Sequence, residues 1–170
     1  MTTQMHSMST EPRDKSKPVT RPPPSFKWAR IAELTALEMH AIMVARERVF
    51  IVEQRCVFQD ADDLDLACWH VQCLVDGKLA SYLRVVDAGQ KFAELSIGRV
   101  LTHPDFRGQG LGQRLMQEAV NGIQTRWPGQ AVRISAQAYL LGFYAGFGFE
   151  PVSDEYLEDG IRHLDMLRGG

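Results

Sequence analysis

The chain has 170 residues, 45% hydrophobic and 24% charged, the composition of one globular domain large enough to bury its own core. Its 19 Lys and Arg against 21 Asp and Glu give a net charge of −2, which excludes a strongly basic field for nucleic acid. No apolar run has the length of a membrane span or forms the core of a secretory signal. The three cysteines, Cys56, Cys68 and Cys73, lack CxxC spacing and fit free thiols in a reducing, cytoplasmic setting.

The first 25 residues hold five of the eight prolines and almost no large apolar side chain, so residues 1–25 read as a disordered tail ahead of a folded domain over residues 26–170. The tail has four basic residues (Arg13, Lys15, Lys17, Arg21) and two acidic ones (Glu11, Asp14), which leaves −4 on the folded part. Phe26–Ile31 predicts a short strand. Thr35 and Glu38 have capping-box spacing. Leu37, Met39, Ile42, Met43, Ala45 and Val49 then recur at helical intervals, so a helix is expected to about Phe50. Cys56–Leu66 carries Asp60, Asp62, Asp63 and Asp65 and reads as a solvated loop.

Trp69–Val75 and Leu79–Val86 flank Asp76-Gly77, a strong hairpin signal, and Phe92–Leu101 follows as a third antiparallel strand. Strand periodicity puts Cys73 on the face opposite Cys68 and His70, so that trio predicts no metal site. Gly110–Arg126 has one apolar stripe (Leu111, Leu115, Met116, Ala119, Val120, Ile123) and predicts a helix. Ala131–Ala136 alternates as a strand, completing a strand–helix–strand unit of the parallel, right-handed kind. Leu140–Ala145 reads as a short helix. Phe149–Val152 and His163–Leu167 read as short strands around a second acidic loop.

The chemistry concentrates in Arg107-Gly108-Gln109-Gly110-Leu111-Gly112, between a strand and a helix. Glycines let backbone approach a ligand, the first helical turn has unpaired N–H groups, and Arg107 adds a charged fork. Together these suit a phosphate or diphosphate. The spacing is neither GxGxxG nor a P-loop, and alone it fits a plain glycine turn equally well.

Arg107, Gly110 and Gly112 after Arg99-Val100-Leu101-Thr102 resemble motif A of the GNAT superfamily of acyl-CoA N-acyltransferases. Phe143-Tyr144-Ala145-Gly146-Phe147-Gly148-Phe149 resembles its YxxxGF motif. Val49–Gln54, Ile97–Val100, Ala136–Ala138 and Glu158–His163 resemble the bacterial ElaA-like branch. The resemblance implies an α/β (α+β) GNAT fold. This is a mixed, mostly antiparallel twisted sheet of six to seven strands with about four helices, splayed between strands four and five. It implies acetyl-CoA as co-substrate, no metal, and direct acetyl transfer to a primary amine on a small molecule or peptide. Homodimers are frequent in the family.

By the same resemblance, backbone groups of Arg107, Gly108, Gln109, Gly110, Leu111 and Gly112 would hold the diphosphate. Val100, Leu101 and Thr102 would pair with the pantetheine arm, and Phe143 would lie beside it. Tyr144 would protonate the leaving thiolate. Gln137 stands where many members have a pantetheine-binding Asn. Gly98 predicts a bulge or a close approach. Glu53, His70, Glu94, Glu158 and His163 are candidates for the base that deprotonates the amine. The two acidic loops are candidates for drawing a cationic amine. The rival readings are a non-catalytic coenzyme A sensor or scaffold and, more remotely, a nucleic-acid binder using the basic tail.

Overall fold

A computed structural model describes residues 23–170. Most of the expected tail therefore lies outside the described residues. The elements are β1 (Ser25–Ala29), α1 (Ala36–Arg46), a π-helical segment (Glu47–Glu53), α2 (Leu64–Ala67), β2 (Trp69–Val75), β3 (Lys78–Val86), β4 (Leu95–Thr102), α3 (Leu111–Arg126), β5 (Val132–Gln137), α4 (Leu141–Ala145), β6 (Glu150–Pro151), β7 (Tyr156–Glu158) and β8 (Ile161–Arg168).

One mixed sheet runs β1-β2-β3-β4-β5-β8-β6, with β7 also paired to β8. Only β4–β5 is parallel; the other pairs are antiparallel. The fold is the expected one, with eight strands in place of six to seven. The extra strand comes from the second acidic loop, where Asp159 (φ 51°) and Gly160 (φ 79°) turn β7 back onto β8. This is the same two-residue device that Asp76 (φ 50°) and Gly77 (φ 73°) supply between β2 and β3.

Strand alternation gives the sheet two unlike faces. On one face Val71, Leu83, Ile97, Ile134 and Leu164 pack with Leu115, Met116 and Ala119 of α3 and with Tyr144 and Phe149. On the other, Tyr82 and Leu101 pack with Ile42, Ala45 and Val49. Thr35 caps α1 through Glu38 as its spacing predicts. The helix does not stop at Phe50. It widens into π geometry after Arg46 and carries Glu53 one turn farther over the sheet.

The expected solvated loop is built inward instead. Asp60 and Asp65 are buried, at 5% and 4% exposure, beside the fully buried Arg46. Arg46 Nε donates to Asp60 Oδ2 (2.7 Å) and its Nη1 to Asp65 Oδ1 (2.5 Å). Arg84 donates to both Asp62 oxygens (2.6 and 2.7 Å) and to Asp65 (2.8 Å). Arg99 pairs with Asp60 at 2.7 Å. Three guanidiniums thus neutralise three carboxylates, and the loop leaves little free charge there to draw an amine. Burial pushes the Asp65 carboxyl up, but Arg46 outweighs it and the net shift is down.

Arg46→Met strips two buried carboxylates of a partner, so we expect a loss of about 3–5 kcal/mol in urea unfolding. The pH sign follows from the lowered Asp62 and Asp65. Their stabilisation is complete above the ordinary Asp value of about 3.9 and fades as pH falls through the lower folded values. Urea midpoints measured from pH 6 to pH 2 should drop less steeply in Arg46→Met than in the parent.

Candidate active site

β4 and β5 pair only at Leu95–Val132 and Ser96–Arg133. Beyond those two positions they diverge, and a cavity of about 590 Å³ fills the gap. The divergence coincides with a bulge. Against β3, Tyr82 faces Leu101 but Arg84 faces Gly98, so β4 has one residue too many there. The residue that takes the left-handed conformation is Arg99 (φ 54°), while Gly98 next to it stays at negative φ. Such a φ costs a side-chain-bearing residue about 1–2 kcal/mol. The Asp60 ion pair and the rings of Phe50 and Phe58 under the guanidinium hold it there.

The glycine loop sits at the open end of this gap. Gly108 (φ 75°) and Gly110 (φ 69°) meet nothing within 4 Å of an added Cβ, so conformation rather than space demands glycine. Gly112 is different: its Cβ would come within 3.1 Å of Thr102 Oγ1, so glycine brings α3 close to β4. The first backbone bond of the helix runs from Arg114 N–H to the Gly110 carbonyl (3.1 Å). The amides before it lie free at the positive end of a 16-residue helix.

Arg107 donates to both oxygens of Glu53 (2.8 and 2.9 Å) and to the Thr102 carbonyl (3.2 Å). The Arg107 hydrogen bond holds the Glu53 carboxyl below its ordinary range. Both side chains are about half exposed, so this pair is worth little and an incoming polyanion can replace it.

Val100, Leu101, Thr102, Arg107, Gly112, Gln137, Phe143 and Tyr144 all line the cavity, as do Glu53, Glu158 and His163. Gly108, Gln109, Gly110 and Leu111 do not line it, although their neighbours Arg107 and Gly112 do, and the Leu111 side chain is core. Two base candidates fall outside. His70 is fully buried under α1, bonded to Tyr82 Oη (2.8 Å) and the Asp65 carbonyl (3.0 Å). Glu94 is taken by Arg133 (2.8 and 3.0 Å).

Tyr144 is 7% exposed and packs edge-on against Phe143 and Phe149. Burial pushes its phenol well above the ordinary range, and the hydroxyl has no hydrogen bond among the described residues. It therefore keeps its proton at neutral pH, and the residue lines the cavity. Gln137 accepts from the Tyr139 hydroxyl and donates to Gln54 Oε1 (3.4 Å), tying β5 to the π-helical segment across the gap. Gln54, Arg99, Tyr139, Ser135 and Tyr156 were not singled out as candidates. Their sequence signal is weak because their roles depend on strands brought together only by the fold.

Asp65, Cys68 and His70 lie close enough to hold a cation. The chemistry argues against one. Arg46 and Arg84 already occupy the carboxylate, and burial pushes the Cys68 thiol up to about 12. Cys73 lies apart, in the other core. In a timed thiol titration of the native protein, half-exposed Cys56 should react first, and Cys68 and Cys73 only on unfolding.

A family model for an acetyltransferase (GNAT) domain matches residues 65–168. Protein ElaA of Escherichia coli K12 is 37% identical over 139 residues, 81% of this chain and 91% of the relative. An acyl-CoA N-acyltransferase crystal structure from Pseudomonas aeruginosa superposes with TM-score 0.81 at 39% identity, covering 85% of this chain and 99% of that one. The crystal structure of Escherichia coli ElaA gives 0.80 at 34% identity over 85% and 99%. Among the described residues, no helix is long and apolar enough to cross a membrane.

Proposed function

This chain belongs to the GNAT family of acyl-CoA N-acyltransferases, and on that premise we propose that it carries acetyl from acetyl-CoA directly to a primary amine in one ternary complex. The observation that carries this reading is the parting of β4 and β5 after two pairs. It opens one cavity from the arginine of the glycine loop to the Tyr144 hydroxyl, through the sheet.

Each part of the substrate has a physical match. A diphosphate suits the free amides of residues 108–113 and the Arg107 fork, with Glu53 moving aside as the anion arrives. An extended pantetheine suits the β4 edge past Ser96, which has no strand partner there among the described residues. The bulge at Gly98–Val100 lines the gap, where a backbone N–H suits the oxyanion of the thioester. Tyr144 then gives its proton to the departing sulfur. Cys68 and Cys73 are buried and line no part of the cavity; Cys56, which does line it, lies far in sequence from the coenzyme loop.

Acetyl-CoA at a hundred times its Kd should stabilise the protein by about 2.7 kcal/mol, raising Tm by roughly 5–10 °C. Gly110→Glu should abolish the rise, because it strains the left-handed φ and puts a carboxylate where the diphosphate binds. No shift with the parent protein at millimolar acetyl-CoA contradicts the coenzyme reading. Tyr144→Phe should lower kcat on the order of 100-fold and change acetyl-CoA affinity less than about threefold. Retention of full activity at every pH would remove Tyr144 from the mechanism. A non-catalytic coenzyme A sensor gives the thermal shift but no thiol release over a panel of polyamines, amino sugars, lysine peptides and peptide N-termini. Sustained release with any of them rejects it.

A further inference from the structure

Strand alternation separates the two proton-transfer tasks. Ile134 and Ala136 of β5 face α3 and Tyr144. Ser135 and Gln137 therefore face the opposite side. On β8, Leu164 and Met166 join the α3 core, so Ile161, His163 and Asp165 point to the same side as Ser135. The cavity passes between β4 and β5 and touches both Tyr144 and His163. A thioester lying in that gap has the phenol on one side and the imidazole on the other.

His163 is held in a defined state. Its Nδ1 lies 2.9 Å from the Ile161 carbonyl. A carbonyl oxygen only accepts, so Nδ1 carries the hydrogen, and in the neutral ring Nε2 keeps a lone pair. The ring stacks on Tyr156, with centroids 6.2 Å apart and planes 22° apart. Tyr156 is itself pinned: its hydroxyl donates to Asp165 Oδ1 (2.9 Å) and contacts Ser135 Oγ. The other candidates are worse placed. Glu53 stands beside Arg107, at the end of the cavity where the diphosphate is placed, Glu94 lies outside on Arg133, and His70 is sealed in the core. Glu158 stands at the exposed end of the β7–β8 hairpin and accepts only a long bond from Ser135 (3.3 Å).

Resting on the transfer reading above, we propose that His163 Nε2 is the general base that takes the proton from the attacking amine. The amine nitrogen bonds to the acetyl carbon as His163 removes its proton. The carbon–sulfur bond breaks, and the thiolate takes the Tyr144 proton. Solvent then takes the proton from the imidazolium, and the phenolate regains one. The sum is amine plus acetyl-CoA giving amide plus free coenzyme thiol. Of the charged and titratable groups around it, Tyr156 stacks on the imidazole, Asp165 lies two residues farther along β8, and Glu158, Asp159 and Lys91 line the same cavity.

The test compares the parent protein with His163→Gln, using the panel amine of highest turnover. In the parent, kcat/KM should rise with pH along an acidic limb. In His163→Gln that limb should vanish and the neutral-pH rate fall on the order of 100-fold, with the acetyl-CoA thermal shift intact. A retained shift with an unchanged limb and rate overturns the role of His163 and leaves the coenzyme reading standing. Loss of the shift in both proteins counts against the coenzyme reading instead. Long-range nitrogen–proton NMR of the imidazole, which needs no acceptor, should show Nε2 bare at neutral pH; a proton on Nε2 also overturns the proposal.

Discussion

Two strands that run parallel for only two register pairs and then separate set the terms for everything else in this molecule. A sheet interior ordinarily closes every backbone hydrogen bond. Here that rule is broken in the middle of the sheet, and the opening is kept by the neighbours. The extra residue in β4 bends the strand. Arg99 sits in a left-handed conformation that its contacts to Asp60, Phe50 and Phe58 sustain. On the other side β5 is drawn toward β8 through six consecutive pairs. The unpaired backbone between them is where the proposed function seats an extended thioester arm.

The buried arginine–aspartate cluster belongs to the same logic. It fastens the segment between the π-helical stretch and β2 against β3 and β4, just behind the bulge. A well-packed apolar cluster of equal volume can match such an ion network in stability. Its distinct contribution is geometric: it ties Arg99, the left-handed residue of the β4 bulge, to Asp60.

The sequence displayed the fold where local rules and global packing agree. The Thr35–Glu38 cap, the Asp76-Gly77 turn and the α3 stripe were legible because each is settled within a few residues. Asp159-Gly160 carries the same turn signal, but exposed, acidic flanks hid the strand it makes. The inward turn of Asp60 and Asp65 was not legible, because its partners Arg46, Arg84 and Arg99 come from three distant elements. Likewise, the glycine loop was legible as a candidate from its spacing, and Tyr144 from the resemblance of its segment to the family motif. Spacing could not separate His163, which lines the cavity, from His70, which lies in the core, because both are strand histidines. Only the pairing of β8 with β5 distinguishes them.

The central claim is that the gap between β4 and β5 is the coenzyme channel, and a crystal structure with acetyl-CoA bound tests it most directly. The account predicts the diphosphate on the amides of residues 108–112, Arg107 turned from Glu53 to the phosphates, and the thioester between Val100 and the Tyr144 hydroxyl. A diphosphate bound elsewhere, or β4 and β5 zipped together past Ser96 with the ligand outside, would contradict it.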